Sequence, residues 1–397
     1  MRPSFLLSNA RVFLDGRFES CSLRIVGSSV EEIGPSLGPK GNDILLPLEG
    51  ACIVPGLINS HDHLELNLFS RLGNPPYPNY VEWGNDIQSR HKEQIRHVMR
   101  VPLRLRLLWG AYKNILSGVT TVVHHNPYYL YFYFGFPIAV YRNYSWIHSL
   151  SFDPKLHKKL KSGGRKVRII HLAEGVDSLA RGELARLQEL GGLGSNTVLV
   201  HGVGLSPDDC LQLEKSGAGL VWCPGSNMFL FNQTAPIASM PASIPVALGT
   251  DSTLTGHTSL FEELREARRL THRDPDRLLG MVTSIPARMF GMASGKITEG
   301  ALADLLVFDQ ESNEPLSDLL NLDAGKIKVL FKAGVPLLGD EGLKPLLASH
   351  GGRAYERISV AGRRKFIASP FGSMTRRIKA ILPSFDFNGL PLKLEEN

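Results

Sequence analysis

The stretch Ile53–Leu66, IVPGLINSHDHLEL, decides how this chain is read. Its Pro55-Gly56 step turns the backbone into a short apolar run that ends on His61-Asp62-His63. In an extended strand alternate side chains share a face, so His61 and His63 point together while Asp62 points away. Two imidazoles converging at the end of a buried strand make half of a tetrahedral metal site. Taken alone, the pair is equally well two polar residues at a strand end. Partners further along the chain have to decide.

The chain supplies them in order. His171 falls near the end of the strand-like run Val167–Leu172 and precedes Ala173-Glu174-Gly175; His201 ends Thr197–His201; Asp251 follows Pro245–Gly249. His171 to His201 is 30 residues, the size of one βα unit, and His201 to Asp251 is 50, room for two. Strands alternating with helical patterns at this spacing imply a parallel sheet, and a polar residue at each C-terminal strand end implies the mouth of a barrel. Singly, His171 or His201 reads as a satisfied core histidine, and Asp251 as the cap of a following helix. Jointly they read as a metal site. His124, His125 and His148 lack that support and read as structural or supporting residues.

Upstream, residues 4–50 alternate short β-prone runs with turns, and Asp15-Gly16 is a hairpin signal. Residues after about 298 return to β character and read as the other half of the same small layer. The segment Glu65–Asp86, rich in Pro, Asn, Gly and aromatics, reads as a loop over the barrel mouth. Its Tyr77, Tyr80 and Trp83 suit the enclosure of a planar ligand. Residues 95–117 show helical spacing, Lys155–Lys161 reads as a short basic helix, and Pro224–Asn227 as a loop. The aromatic run Tyr128–Phe136 is nine residues, too short to cross a bilayer, and reads as core or strand in preference to a recognition surface.

Composition narrows the class. With 397 residues, 43% hydrophobic and 21% charged, the chain is an ordinary globular protein large enough for a barrel and an accessory domain. Four scattered cysteines without CxxC pairing fit a reducing cytoplasm. No stretch approaches the roughly 18 apolar residues of a membrane span, so a cytoplasmic location without a membrane partner is expected. The net charge of +6 raises the question of nucleic acid, and basic residues gather late, from Arg353 to Lys379. No zinc-finger, RNP or helix-turn-helix signature accompanies them, so a solvated basic face is expected instead.

The ordered set HDH (61–63), HLAEG (171–175), VLVHG (198–202) and ALGTDS (247–252) resembles the amidohydrolase superfamily, in the branch of cytosine deaminase, guanine deaminase and the triazine hydrolases. PGLINSHDH, SGVTTVVHH, CPGSN and GALADLLVFD match further stretches typical of that branch. The resemblance implies an α/β fold: a TIM-type barrel over 55–297, and a small β-sandwich domain built from 1–54 and 298–397. It implies one divalent metal, zinc in preference to iron, held by His61, His63, His171 and Asp251. Glu174 would be the proton shuttle, Asp251 would also take a proton from the attacking water, and His201 would face the substrate. Trp83 and Trp222 are further candidate substrate contacts. A homodimer is usual in the family.

Two departures stand out. Between His124 and His171 only 46 residues intervene, too few for three βα units, so a barrel shortened between strands two and five is expected. Trp222 stands where many relatives carry a histidine before Pro-X-Ser-Asn. The expected activity is hydrolysis of a non-peptide C–N bond in a small molecule by metal-activated water, as a deaminase of a heterocyclic or amidine-like substrate. The alternatives are a cyclic-amide or N-acyl hydrolase with two metals bridged by a carboxylated lysine, for which Lys155 is the nearby candidate, and a non-catalytic barrel scaffold.

Overall fold

Strands that are apolar along both faces need cover on both faces, and parallel sheets are where that happens. Leu57–Asp62, Val119–His124, Thr197–His201, Gly219–Trp222 and Val246–Leu248 are buried along their whole lengths, and Val167–Leu172 at all but its first residue. The structure is a computed structural model describing residues 4–162, 164, 166–344 and 354–395. In it these strands pair in parallel. One ladder runs Leu57–Asp62, Val119–His124, Ala139–Val140. The other runs Tyr144–Ile147, Val167–Leu172, Thr197–His201, Gly219–Trp222, Val246–Leu248. A parallel bridge between Asp62 and Asp251 ties the two sets together at their C-terminal ends.

The opposite junction is a short link. Ala139–Val140 pairs with Val119–His124 and Tyr144–Ile147 pairs with Val167–Leu172, yet only residues 141–143 separate them. Three residues cannot form a parallel crossover. No helix lies between them.

Helices cover the strand sets, and local signals set their bounds. The pattern over 95–117 resolves into two helices, Lys92–Met99 and Leu103–Ile115, because Pro102 cannot continue the first. The expected loop 65–86 ends early: Asn79 caps a helix over Tyr80–Arg90 by accepting from the Val81 and Glu82 amides. Pro224–Asn227 is the start of a helix, Pro224–Phe231, with proline at a first-turn position where its missing N–H costs nothing. The aromatic run corrects another expectation. It forms a short 3-10 turn, Leu130–Tyr133, in which only Phe132 is buried, against the His124 ring at 5.3 Å. With one anchor, the remaining side chains of the turn splay outward.

The second body of β-structure draws on both ends of the chain. Its eleven strands form one continuous sheet, joined where Cys52–Pro55 pairs antiparallel with Leu305–Phe308. The expected sandwich of two sheets is therefore a single sheet, and it curls on itself: the rings of Phe5 and Phe331 meet at 5.5 Å although their strands are not neighbours. Each such fully buried aliphatic or aromatic side chain contributes about 1.5–3 kcal/mol. Lys365, assigned by its sequence context to a solvated basic face, is fully buried and bonds the Ile327 carbonyl at 2.6 Å and the Asp340 carboxylate. Arg353 lies outside the described residues. Among the described residues no helix is long and apolar enough to cross a membrane.

Candidate active site

The C-terminal ends of the parallel strands deliver the chemistry. His61 and His63 leave the Leu57–Asp62 strand on one side, and Asp62 leaves on the other. Asp62 enters a fully buried network, taking hydrogen bonds from Asn67 (2.7 Å), Asn114 (2.7 Å) and Asn59 (3.2 Å) and an ion pair from Lys113 (3.1 Å). Close approach makes this possible. A Cβ at Gly110 would strike the Leu64 carbonyl, and one at Gly249 would lie 2.7 Å from the His61 Cβ, so glycine lets both neighbours pack against the motif.

Ala173, His201 and Asp251, at three of the strand ends, have φ of 51°, 76° and 59°. Non-glycine residues in the left-handed region cost energy and concentrate at functional sites. Here that turn aims His201 and Asp251 inward and sets Glu174 beside them.

The Nε2 atoms of His61, His63 and His171 converge with Oδ1 of Asp251. His171 Nε2 is 3.2 Å from His61 Nε2 and 3.3 Å from His63 Nε2, and Asp251 Oδ1 is 3.5 Å from both His61 and His63. Donors at about 2.0–2.2 Å around a tetrahedral cation lie about 3.3–3.6 Å from one another. The observed edges match that figure. The His171 Nδ1–H donates to the His148 carbonyl at 2.6 Å, so its Nε2 lone pair faces the cluster. Burial pushes His61 down to about 4, and burial with the neighbouring His125 and His61 holds His171 well below its ordinary range. With its proton on Nδ1, His171 offers a single Nε2 lone pair to two neighbouring imidazole nitrogens at once. The donor set therefore fits a divalent cation.

Asp251 is fixed through its other oxygen, which accepts from Ser226 (2.9 Å) and Thr255 (2.7 Å). Burial favours its neutral form, but the His61 hydrogen bond and the charges of His63 and His201 outweigh burial and hold the carboxyl well below its usual range. Glu174 is the opposite case. Burial first, then Asp251 and Glu183, push its carboxyl well above the ordinary range. Its Oε1 lies 3.7 Å from Nε2 of His201, whose Nδ1–H donates to Asn227 Oδ1 at 2.9 Å. Two carboxyls whose surroundings push their pKa values in opposite directions thus share one site, the arrangement that separates acid from base roles.

All six residues singled out in the sequence are brought together and buried. The two tryptophans are placed differently. Trp222 is fully buried and gives its indole N–H to Thr234 Oγ1 at 2.6 Å; Thr234 also lies 3.4 Å from Asn227, the partner of His201. Trp83 sits on the Tyr80–Arg90 helix, donates to the Leu72 carbonyl at 3.0 Å, and packs with Val203, Leu230 and Phe231 beside the strand ends. Its segment is stitched across those ends, with Tyr77 N to Leu230 O, Tyr80 N to Glu174 O, and Val176 N to Pro78 O. Tyr77 and Tyr80 commit their hydroxyls to Asp86 and Glu183. His125 stacks on His171 at 4.1 Å, and His148 orients His171 through its carbonyl. Lys155 is exposed.

Ser226, Thr255, Asn227 and Lys113 were not found from the sequence. CPGSN pointed towards the first and third. A lysine within the apolar helix Leu103–Ile115 was the one available sign of the last.

Residues 163–337 match the amidohydrolase family model. A 5-methylthioadenosine/S-adenosylhomocysteine deaminase of Haloquadratum walsbyi is 38% identical over 147 residues, covering 34% of this chain and 33% of the relative. The 8-oxoguanine deaminase of Pseudomonas aeruginosa is 31% identical, covering 44% of this chain and 43% of the relative. The matches thus span a third to under half of these relatives' lengths. In fold, a triazine hydrolase variant superposes with a TM-score of 0.75 at 16% identity, covering 97% of this chain and all of the other. A zinc-bound adenosine deaminase of Xanthomonas campestris superposes at 0.65 and 17% identity, covering 87% and 97%. Over residues 163–337 the chain is thus similar to the amidohydrolase family, and its fold is that of the solved neighbours.

Proposed function

We propose that this chain is a metal-dependent hydrolytic deaminase of an amino-substituted heterocycle. One observation carries the reading: three imidazole nitrogens and one carboxylate oxygen converge at 3.2–3.5 Å, beside a second, buried carboxyl whose Oε1 faces His201 at 3.7 Å. His61, His63, His171 and Asp251 would hold a single divalent cation, zinc in preference to iron, which lowers the pKa of water towards neutrality. Asp251, charged and fixed by Ser226 and Thr255, can accept a proton from the attacking water. Glu174, protonated and facing His201, can deliver a proton to the departing nitrogen. His201, its tautomer set by Asn227, presents Nε2 to the substrate atom where charge develops. The relatives' names support an amino-purine substrate.

The barrel is best read as shortened between strands two and five, over 55–297, with 1–54 and 298–397 supplying the curled sheet. Four free, buried cysteines support a cytoplasmic setting. The two-metal amide-hydrolase reading has less support, because the exposed Lys155 is not in the donor cluster.

The test is ammonium release by zinc-loaded protein from aminopurines, their nucleosides, pterins and triazines. Ammonium from at least one class is expected. Cyclic-amide opening without any ammonium release would overturn the deaminase reading.

A further inference from the structure

Residues 94–173 carry thirteen lysines and arginines against a single acid, Asp153, in a chain whose whole net charge is +6, and of the thirteen Arg106, Lys113 and Arg168 are buried. That one acid is occupied: Asp153 is buried and paired with Lys159 at 2.6 Å, and the same ammonium lies 3.5 Å over the Trp146 ring. Arg142, Lys155, Lys158, Lys161 and Lys166 are exposed. Arg142 and Lys166 line an open groove of about 670 Å³ with Tyr128, Tyr133, Tyr144 and Trp146. Beside it stands the 3-10 turn, whose tip exposes Leu130 at 76% and Phe134 at 82%, with Tyr131 and Tyr133 about half exposed. Isolated exposed apolar residues need no explanation, but a contiguous set rimmed by cations does.

We propose that this turn and its basic surround form a docking surface for an anionic lipid bilayer. The chemistry divides between two layers. Leu130 and Phe134 have no polar atom to place and can enter the acyl boundary. The tyrosines suit the headgroup level, where amphipathic rings collect. Exposed lysines and arginines meet the negative surface potential, which draws each cation within reach by about 1 kcal/mol, roughly fivefold in affinity. A second copy of this chain is a poor occupant, because it would set one net-positive face against another. Nucleic acid fits less well, since the tip is aliphatic and aromatic and protrudes, whereas strand binding stacks bases within a groove. Surface docking of this kind revises the expectation of no membrane partner without requiring a span.

The experiment is co-sedimentation of the zinc-loaded 397-residue chain with vesicles of phosphatidylcholine alone and of phosphatidylcholine with phosphatidylserine. Binding is expected to the mixed vesicles only, and to weaken as salt rises. Leu130→Ser with Phe134→Ser should lower binding at least tenfold, and Arg142→Glu with Lys166→Glu by more than that, with melting temperature within a few degrees of the parent. Either of three results overturns the proposal: no binding to mixed vesicles, binding indifferent to both double variants, or tighter binding to single-stranded nucleic acid at equal salt. A stable dimer that hides the turn, seen by crosslinking at Tyr133, would also overturn it.

Discussion

Replacing Lys113 by methionine should damage both stability and the site. Lys113 and Asp62 are fully buried with Nζ and Oδ2 3.1 Å apart, and the ammonium also meets Thr250 Oγ1 at 3.2 Å. At an effective dielectric of about 20, charges at that separation attract by about 5 kcal/mol, which bounds the effect from above. Breaking a buried pair typically costs 3–5 kcal/mol because the remaining charge is stranded. Asp62 keeps donors from Asn59, Asn67, Asn114 and Thr250, so the lower end, about 3 kcal/mol, is expected. Asp62 lies between His61 and His63, and Thr250 precedes Asp251, so slack here also reaches the donor set. Loss of such outer support lowers metal affinity about 10–100-fold. Urea unfolding at saturating zinc, followed through tryptophan fluorescence, measures the first effect, and competition with a chelating dye the second. The double variant Lys113→Met, Asp62→Asn should recover part of the loss, since no charge is then stranded. A single variant within 1 kcal/mol of the parent, with unchanged zinc affinity, would refute the reasoning.

Burial holds the Glu263 carboxyl up at about 8 despite hydrogen bonds from the Gly225 and His257 amides. The folded chain therefore keeps a proton that the unfolded chain releases near pH 4.3, so this contribution to stability declines as pH rises from about 4.3 to 8. Glu263→Gln should flatten that decline in melting temperature, and parallel curves would speak against it. Trp83→Ala should raise KM with zinc content unchanged, because it loosens the segment stitched over the strand ends; an unaltered KM places that segment away from the substrate. Asn227→Ala should lower kcat by about 10–100-fold while the metal stays, since it frees the His201 tautomer. An unchanged kcat would remove His201 from the chemistry.

The strand-end residues were legible because two simple rules locate them. Alternation along a strand puts His61 and His63 on one side, and βα spacing puts His171, His201 and Asp251 at one end of a parallel set. The short link over residues 141–143 matches the deficit of residues between His124 and His171. The curl of the eleven-stranded sheet was not, because a strand's pattern records which face is buried and not which strand lies beside it. Lys113 was hidden for a related reason: its meaning depends on Asp62, 51 positions away in sequence. The aromatic run misled because hydrophobicity predicts burial only where something exists to bury it, and here no helix lies between the run and the strand Tyr144–Ile147.

The most direct test of the central claim pairs metal content with ammonium release in Glu174→Gln beside the parent. Glutamine keeps the shape of a side chain that lies 3.7 Å from His201 and outside the converging donor set. It cannot carry a proton to a leaving nitrogen, and general acid–base groups contribute about 10²–10⁴-fold in rate. The account predicts a folded variant with about one zinc per chain and ammonium release lowered by at least about a hundredfold. Near-parental release at full zinc occupancy would contradict it.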